Sequence, residues 1–206
     1  MTARMATINY VRLFVRSWSR VLLVTVLGAV LAVGFSLFQP LRYSSTERIL
    51  ITQTNAAGLD PYTAIKSTER VAQNLGEIIY TSSFFNSVTS KPTVDATYFS
   101  TDEITRRKEW KNTIETNVVA GTGVMSIVAY HTNRDQAREL SVDVAKELAA
   151  VAPDYFGYSI RVQIIDDPLP SRFYAKPDFL KIGLFGAVMG FLIASAWILG
   201  RIKSNP

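Results

Sequence analysis

The sequence predicts a membrane α+β protein: two transmembrane helices flanking one extracytoplasmic α+β domain of β-α-β-β-α-β, ferredoxin-like order. Three observations predict it. Two uncharged runs lie near the ends of the chain, Val21–Leu41 (21 residues) and Ile182–Gly200 (19 residues). Cations crowd the outer flanks of both runs. Between them, apolar patterns of period 2 and period 3.6 alternate.

A 19-residue helix at about 1.5 Å per residue covers roughly 28 Å, close to the ~30 Å hydrocarbon core of a bilayer. The first run is long for the apolar part of a signal peptide and follows a positive lead, so it is read as an uncleaved anchor. Arg4, Arg12, Arg16 and Arg20 precede it with no acid, and Arg201 and Lys203 follow the second run. The ends therefore carry +6 of a net charge of +5, which leaves −1 on residues 42–181. Positive flanks stay inside, so both termini are expected in the cytoplasm and the central segment across the membrane. The cationic excess meets lipid headgroups, which argues against a nucleic-acid partner. With no cysteine in 206 residues, disulfides, a thiolate nucleophile and cysteine metal ligands are excluded.

The expected layout is a cytoplasmic lead (1–20), a first span (21–41), an α+β domain (42–166), a proline-spaced linker (167–181), a second span (182–200) and a cytoplasmic tail (201–206). In the lead, Arg12, Arg16 and Arg20 share a helix face and suit lipid phosphates, although topogenic charge is enough to explain them. Tyr43–Gln53 reads as a strand. Asn55–Asp60 is turn material, and Pro61 opens an amphipathic helix carrying Ile65, Val71, Ala72, Leu75, Ile78 and Ile79. Ser82 is expected to cap a short second helix, and Ser100 with Glu103 to form a capping box for a third. Ile114–Val119 and Met125–Tyr130 are strands around the hairpin loop Ala120–Gly123. Asn133 caps a helix over Arg134–Val151 with Ala137, Leu140, Ser141, Val144, Leu148 and Val151 buried and Arg134, Arg138, Lys146 and Glu147 outward. Ser159–Ile165 is the last strand.

Pro168, Pro170 and Pro177 remove backbone donors, so the linker is neither an ordinary helix nor a central strand. Gly28, Ala29, Ala32 and Gly34 make one side of the first span small. Gly183, Gly186 and Gly190, with Ala187, Ala194 and Ala196, do so in the second, and Gly186 and Gly190 have GxxxG spacing. Small residues let backbones approach where no hydrophobic force drives association. The spacing leaves open whether the partner is the chain's own first span or another subunit.

The whole layout resembles the polysaccharide co-polymerases, the Wzz-type chain-length determinants of bacterial O-antigen, capsule and exopolysaccharide synthesis. The residues that carry the resemblance are DDPLPSRFYAKP at 166–177 and GLFGAVMG at 183–190, preceded by the strand-helix-strand run Met125–Ile165. The resemblance implies a non-enzymatic homo-oligomer, a ring or an arched assembly, in the cytoplasmic membrane, serving a polysaccharide polymerase and its lipid-linked glycan. The central segment leaves little room for the long helical extension of lipopolysaccharide-type members. The tail RIKSNP has no P-loop or tyrosine cluster, so a fused kinase is not expected and a separate cytoplasmic tyrosine kinase is left open.

No cofactor, metal or catalytic set is expected. His131 is the single histidine and reads as a solvated loop residue. Asp166 and Asp167 read as turn residues before Pro168, and Asp102 and Glu103 complement a helix dipole. The basic group Arg106, Arg107, Lys108 and Lys111 is ordinarily a solvated face; in an oligomer it would meet a neighbouring subunit or an acidic glycan. Arg172, Phe173, Tyr174, Lys176 and Lys181 are expected as an anchoring collar at the membrane surface.

Overall fold

A computed structural model describes residues 17–54, 60–157 and 159–203, the last five by their backbone alone. The arginine-bearing lead before residue 17, the turn at 55–59 and the end of the tail lie outside the described residues. In chain order the elements are α1 (Trp18–Ser36), β1 (Tyr43–Gln53), α2 (Pro61–Ile78), α3 (Ser82–Thr89), a 3₁₀ turn (Ala96–Tyr98), α4 (Glu103–Thr113), β2 (Ile114–Val118), β3 (Val124–His131), α5 (Arg134–Phe156), β4 (Ile160–Ile164), β5 (Leu169–Pro170) and α6 (Phe179–Lys203). The helices α1 and α6 make one unit and Leu41–Lys176 makes the other.

Within Leu41–Lys176 the strands form one antiparallel sheet of order β2-β3-β1-β4, with β5 paired to β1 beside β4. The helices pack on one face. Ser45, Glu47, Ile49 and Ile51 of β1 and Met125, Ile127, Ala129 and His131 of β3 point into that layer, as strict alternation requires. Ala72 and Leu75 of α2, Phe84, Phe85 and Val88 of α3, and Leu140, Val144 and Leu148 of α5 close the core from above. Each of the Leu, Val and Phe side chains among these contributes about 1.5–3 kcal/mol on burial. Trp110 is the keystone of the α3–α4 corner: it packs edge-on against Phe85 and Phe99, and its indole N–H donates to the Ile79 carbonyl at 2.7 Å.

The caps follow the local chemistry. Asp60 accepts from the N–H groups of Tyr62 and Thr63 ahead of Pro61, and Asn133 accepts from those of Asp135 and Gln136. Two caps sit elsewhere than the spacing suggested. Thr81, not Ser82, caps α3, and Asp102, not Ser100, caps α4. Ser100 has a different role, accepting from the Asp102 N–H while its own N–H donates to Glu109. Helix α5 runs past Val151 through Pro153, and stops at Gly157, whose φ of +70° an L side chain rarely adopts. Glu147 does not face outward: its carboxylate accepts from Ser87 and pairs with Lys91 at 2.9 Å, tying α5 to α3.

The hairpin between β2 and β3 depends on two glycines. Gly121 has φ +72°, and Gly123 lies so close to the Ile51 carbonyl oxygen that a Cβ would overlap it. In the other unit, α1 ends with i→i−3 bonds from Leu37, Phe38 and Gln39 ahead of Pro40. Asp178 opens α6 by accepting from the Lys181 N–H. Both helices, over Trp18–Ser36 and Phe179–Ile198, are long and apolar enough to cross a membrane.

Candidate functional site

The two spans pack along a seam of small residues. A Cβ built on Gly186 would meet the Ala32 Cβ at 2.5 Å and the Gly28 carbonyl oxygen at 2.6 Å. On Gly190 it would meet the Val24 oxygen at 2.6 Å, and on Gly28 the Gly186 oxygen at 2.7 Å. Backbone lies against backbone at these three positions, and any side chain there would force the helices apart. Gly183 is at the margin, where a Cβ would stand 3.3 Å from Val33. Ala194 is buried in the same seam with Val21 and Ile198. Gly34 has nothing near it and Ala196 is exposed, so these two small residues are not part of the contact. The GxxxG spacing is satisfied within the chain, by its own first span.

The proline-spaced segment does more than link. Leu169 and Pro170 pair with Thr46 and Ser45 on the outer side of β1, and the Ser171 N–H donates to the Ser44 carbonyl. Pro168 and Pro170 lie on a sheet edge, where a missing donor breaks no ladder. Further on, Arg42 and Lys176 form an isolated bridge, after which Pro177 precedes Asp178 and α6. Between β4 and β5 the edge bulges. Two residues of β1, Glu47 and Arg48, face four residues, Ile165–Pro168.

The basic group divides into a paired half and an open half. Glu103 binds the guanidinium groups of both Arg106 and Arg107, the latter at 2.7 Å, and accepts from Ser82. Those contacts, Arg107 first, hold the Glu103 carboxyl below its ordinary pKa. Arg106 also lies over the Phe85 ring at 5.1 Å. Lys108 and Lys111 are exposed and make no ion pair among the described residues. With Arg107 they surround Ile104, which is 78% exposed on the same helix face.

The collar residues are largely committed within their own unit. Tyr174 packs on Tyr43 with ring centroids 4.6 Å apart. The Lys176 ammonium stands 3.6 Å from the Tyr130 ring centroid and 3.5 Å from the Glu115 carboxylate, which also accepts from the Tyr130 hydroxyl. Burial, followed by that hydrogen bond, raises the Tyr130 pKa. Lys181 pairs with Asp178 at 3.0 Å. Phe173 remains 82% exposed.

Two buried ionisable groups with an unpartnered atom among the described residues escaped the sequence reading. His131 is not a solvated loop residue but the inward-facing last residue of β3, 6% exposed and stacked on Tyr98 at 4.1 Å. Its Nδ1 accepts from the Asn133 N–H, its Nε2 has no partner among the described residues, and burial lowers its pKa. Glu47 is 2% exposed and one carboxylate oxygen is buried without a hydrogen bond. Burial first, then Asp167 and Asp166, raises its pKa, opposed by Lys146 and Arg138. The signal for both was their phase, Glu47 with Ile49 and Ile51, His131 with Met125, Ile127 and Ala129. Among the described residues no three His, Asp or Glu side chains gather as a metal site.

Comparison with models of known protein families finds no match to this chain, and comparison with curated protein sequences finds none of significance.

Proposed function

We propose that the chain is a non-enzymatic membrane scaffold that regulates chain length in bacterial surface polysaccharide synthesis. The observation that carries this reading is the pairing of two span-length helices through Gly28, Gly186 and Gly190 around one intervening α+β unit with a proline-bearing sheet edge. The strand order β2-β3-β1-β4, with β1 joined to β2 through a helical layer and β3 to β4 through α5, supports a ferredoxin-like reading of that unit. The flanking cations support a cytoplasmic-membrane topology with both termini inside and the α+β unit outside.

In this reading the scaffold acts by geometry. Copies associate into a homo-oligomer, closed by head-to-tail contacts, and hold a polymerase and its lipid-linked glycan for a set residence time. The exposed face of Ile104, Lys108 and Lys111 joins apolar area to charge without an ion pair among the described residues, which suits contact with a neighbouring copy or an acidic glycan. Deleting the gene and running surface polysaccharide on a gel tests the function: a shifted length distribution is expected, and an unchanged one rejects it. Native mass spectrometry in detergent tests the assembly, and monomers at every concentration would reject that.

A membrane adaptor for a separate cytoplasmic tyrosine kinase is the second reading. The cations Arg201 and Lys203 after the second span favour it. Removing Ser204–Pro206 would abolish kinase capture under this reading and leave polymer length untouched under the first. Stable co-purification with a transport complex would instead mark an accessory subunit.

A further inference from the structure

We infer that Glu47 is a proton-binding site that latches the bulged edge of the sheet, closed when the carboxyl is protonated and loosened when it ionises. The geometry has three parts. Glu47 projects from β1 into the core layer beneath α5, next to the Ser45–Ser141 hydrogen bond, and has no hydrogen-bond or ion-pair partner among the described residues. Its backbone lies opposite the bulge at Ile165–Pro168, which falls between the β4 and β5 ladders. The bulge is flanked by the Ile165 N–H bond to the Arg48 carbonyl on one side and by the pairing of Leu169 with Thr46 on the other.

The charged groups around the carboxyl come from every element that packs on it. Asp166 and Asp167 lie on the bulge, and Arg138 and Lys146 on α5. Arg48, the next residue of β1, projects to the other face and is shared with Asp166 at 3.9 Å. Both α5 cations are exposed and neither touches the carboxylate, so they do not replace a partner. An ionised carboxylate buried without a partner is costly, and the least expensive remedy is water. The bulge is the nearest route for water, because it is the one place beside Glu47 where the sheet has no ladder. When the O–H bond breaks, the proton leaves to solvent past Asp166 and Asp167, and the carboxylate gains hydration only if Ile165–Pro168 lifts. The same edge runs through β5 toward Lys176, so the latch governs how firmly the segment before α6 is held to β1.

Hydrogen exchange of the full chain in detergent micelles, read on the peptide spanning 165–171 and corrected for intrinsic rates, tests the latch. Opening releases one proton wherever the carboxyl is protonated when closed and ionised when open, so exchange rises about tenfold for each pH unit up to the closed-state pKa and levels off above it. Glu47→Gln is expected to abolish that slope and keep the segment protected. Asp167→Asn, a surface change, removes a negative charge that raises the Glu47 pKa, and is expected to move the onset of levelling to lower pH. Infrared spectra provide a readout independent of exchange: a protonated carboxyl band is expected in the native protein and absent in Glu47→Gln. A flat exchange profile, a slope that survives Glu47→Gln, an unmoved onset in Asp167→Asn, or no lost carboxyl band each overturns the inference.

Discussion

The helix pair and the α+β unit solve the same packing problem with opposite kinds of side chain. In the unit around the sheet, Leu75, Ile79, Val88, Met125 and Leu148 are fully buried, and large apolar side chains hold the layers together. In the helix pair the large side chains, Leu23, Leu31, Phe185 and Ile193 among them, point outward, and the contact is made by glycine and alanine. Water expels apolar area, so a soluble core is built from bulk. A surrounding as apolar as leucine expels nothing, and close approach of backbones becomes the source of attraction. The lesson is that removing volume weakens one region and adding volume weakens the other.

The largest effect that breaks the comparison is expected from Trp110→Ala. It removes a buried ring and leaves the Ile79 carbonyl without its donor, and should cost about 3–5 kcal/mol in chemical denaturation of the α+β unit. The same truncation at Leu23, exposed on α1, should leave helix pairing unchanged. Next comes Gly186→Leu, which adds volume at the seam and should cost about 1–3 kcal/mol of pairing. Because the chain has no cysteine, a Val33→Cys, Gly183→Cys pair can report it: the disulfide should form in the parent and fail with Leu at 186.

A smaller effect concerns pH. Ser87, followed by Lys91, holds the Glu147 carboxyl below its ordinary pKa, so its contribution is present above the unfolded carboxylate pKa and lost as pH falls through the folded value. Glu47 has the opposite sign: its raised pKa contributes below the unfolded value and is lost as pH rises through the folded one. Glu147→Gln should therefore flatten the acid limb of a plot of denaturation midpoint against pH and leave the alkaline limb alone. Smallest of all, Asp60→Ala should cost about 1 kcal/mol through loss of the α2 cap, measured in the same denaturation experiment.

The elements were legible where local chemistry decides them. Alternation placed β1, the small-residue spacing picked out Gly186 and Gly190, and Asn133 and Pro61 marked helix starts. Thr81 and Asp102 were missed as caps because their neighbours Ser82 and Ser100 are equally good acceptors, and only the chain's path decides among them. Reading α5 as ending at Val151 missed that Ala152 is buried, which carries the helix past Pro153 to Gly157. Of the candidate site, sequence identified the glycines but not their partner, and the cluster at 106–111 but not the pairing of Arg106 and Arg107 with Glu103. Glu47 and His131 were hidden for a different reason. Their phase pointed inward while their chemistry pointed outward, and composition outweighed periodicity.

The pairing of β5 with β1 also has a mechanical consequence. Chain enters the α+β unit at Leu41 and leaves at Lys176, and Arg42 and Lys176 are bridged side by side. Tension applied through those two points falls first on the bonds at Arg42, then on Ser44 with Ser171, then on the pairing of Thr46 with Leu169. The bonds lie along the pull and take the load one after another, as the teeth of a zipper do, so this edge peels at low force while the centre of the sheet stays whole.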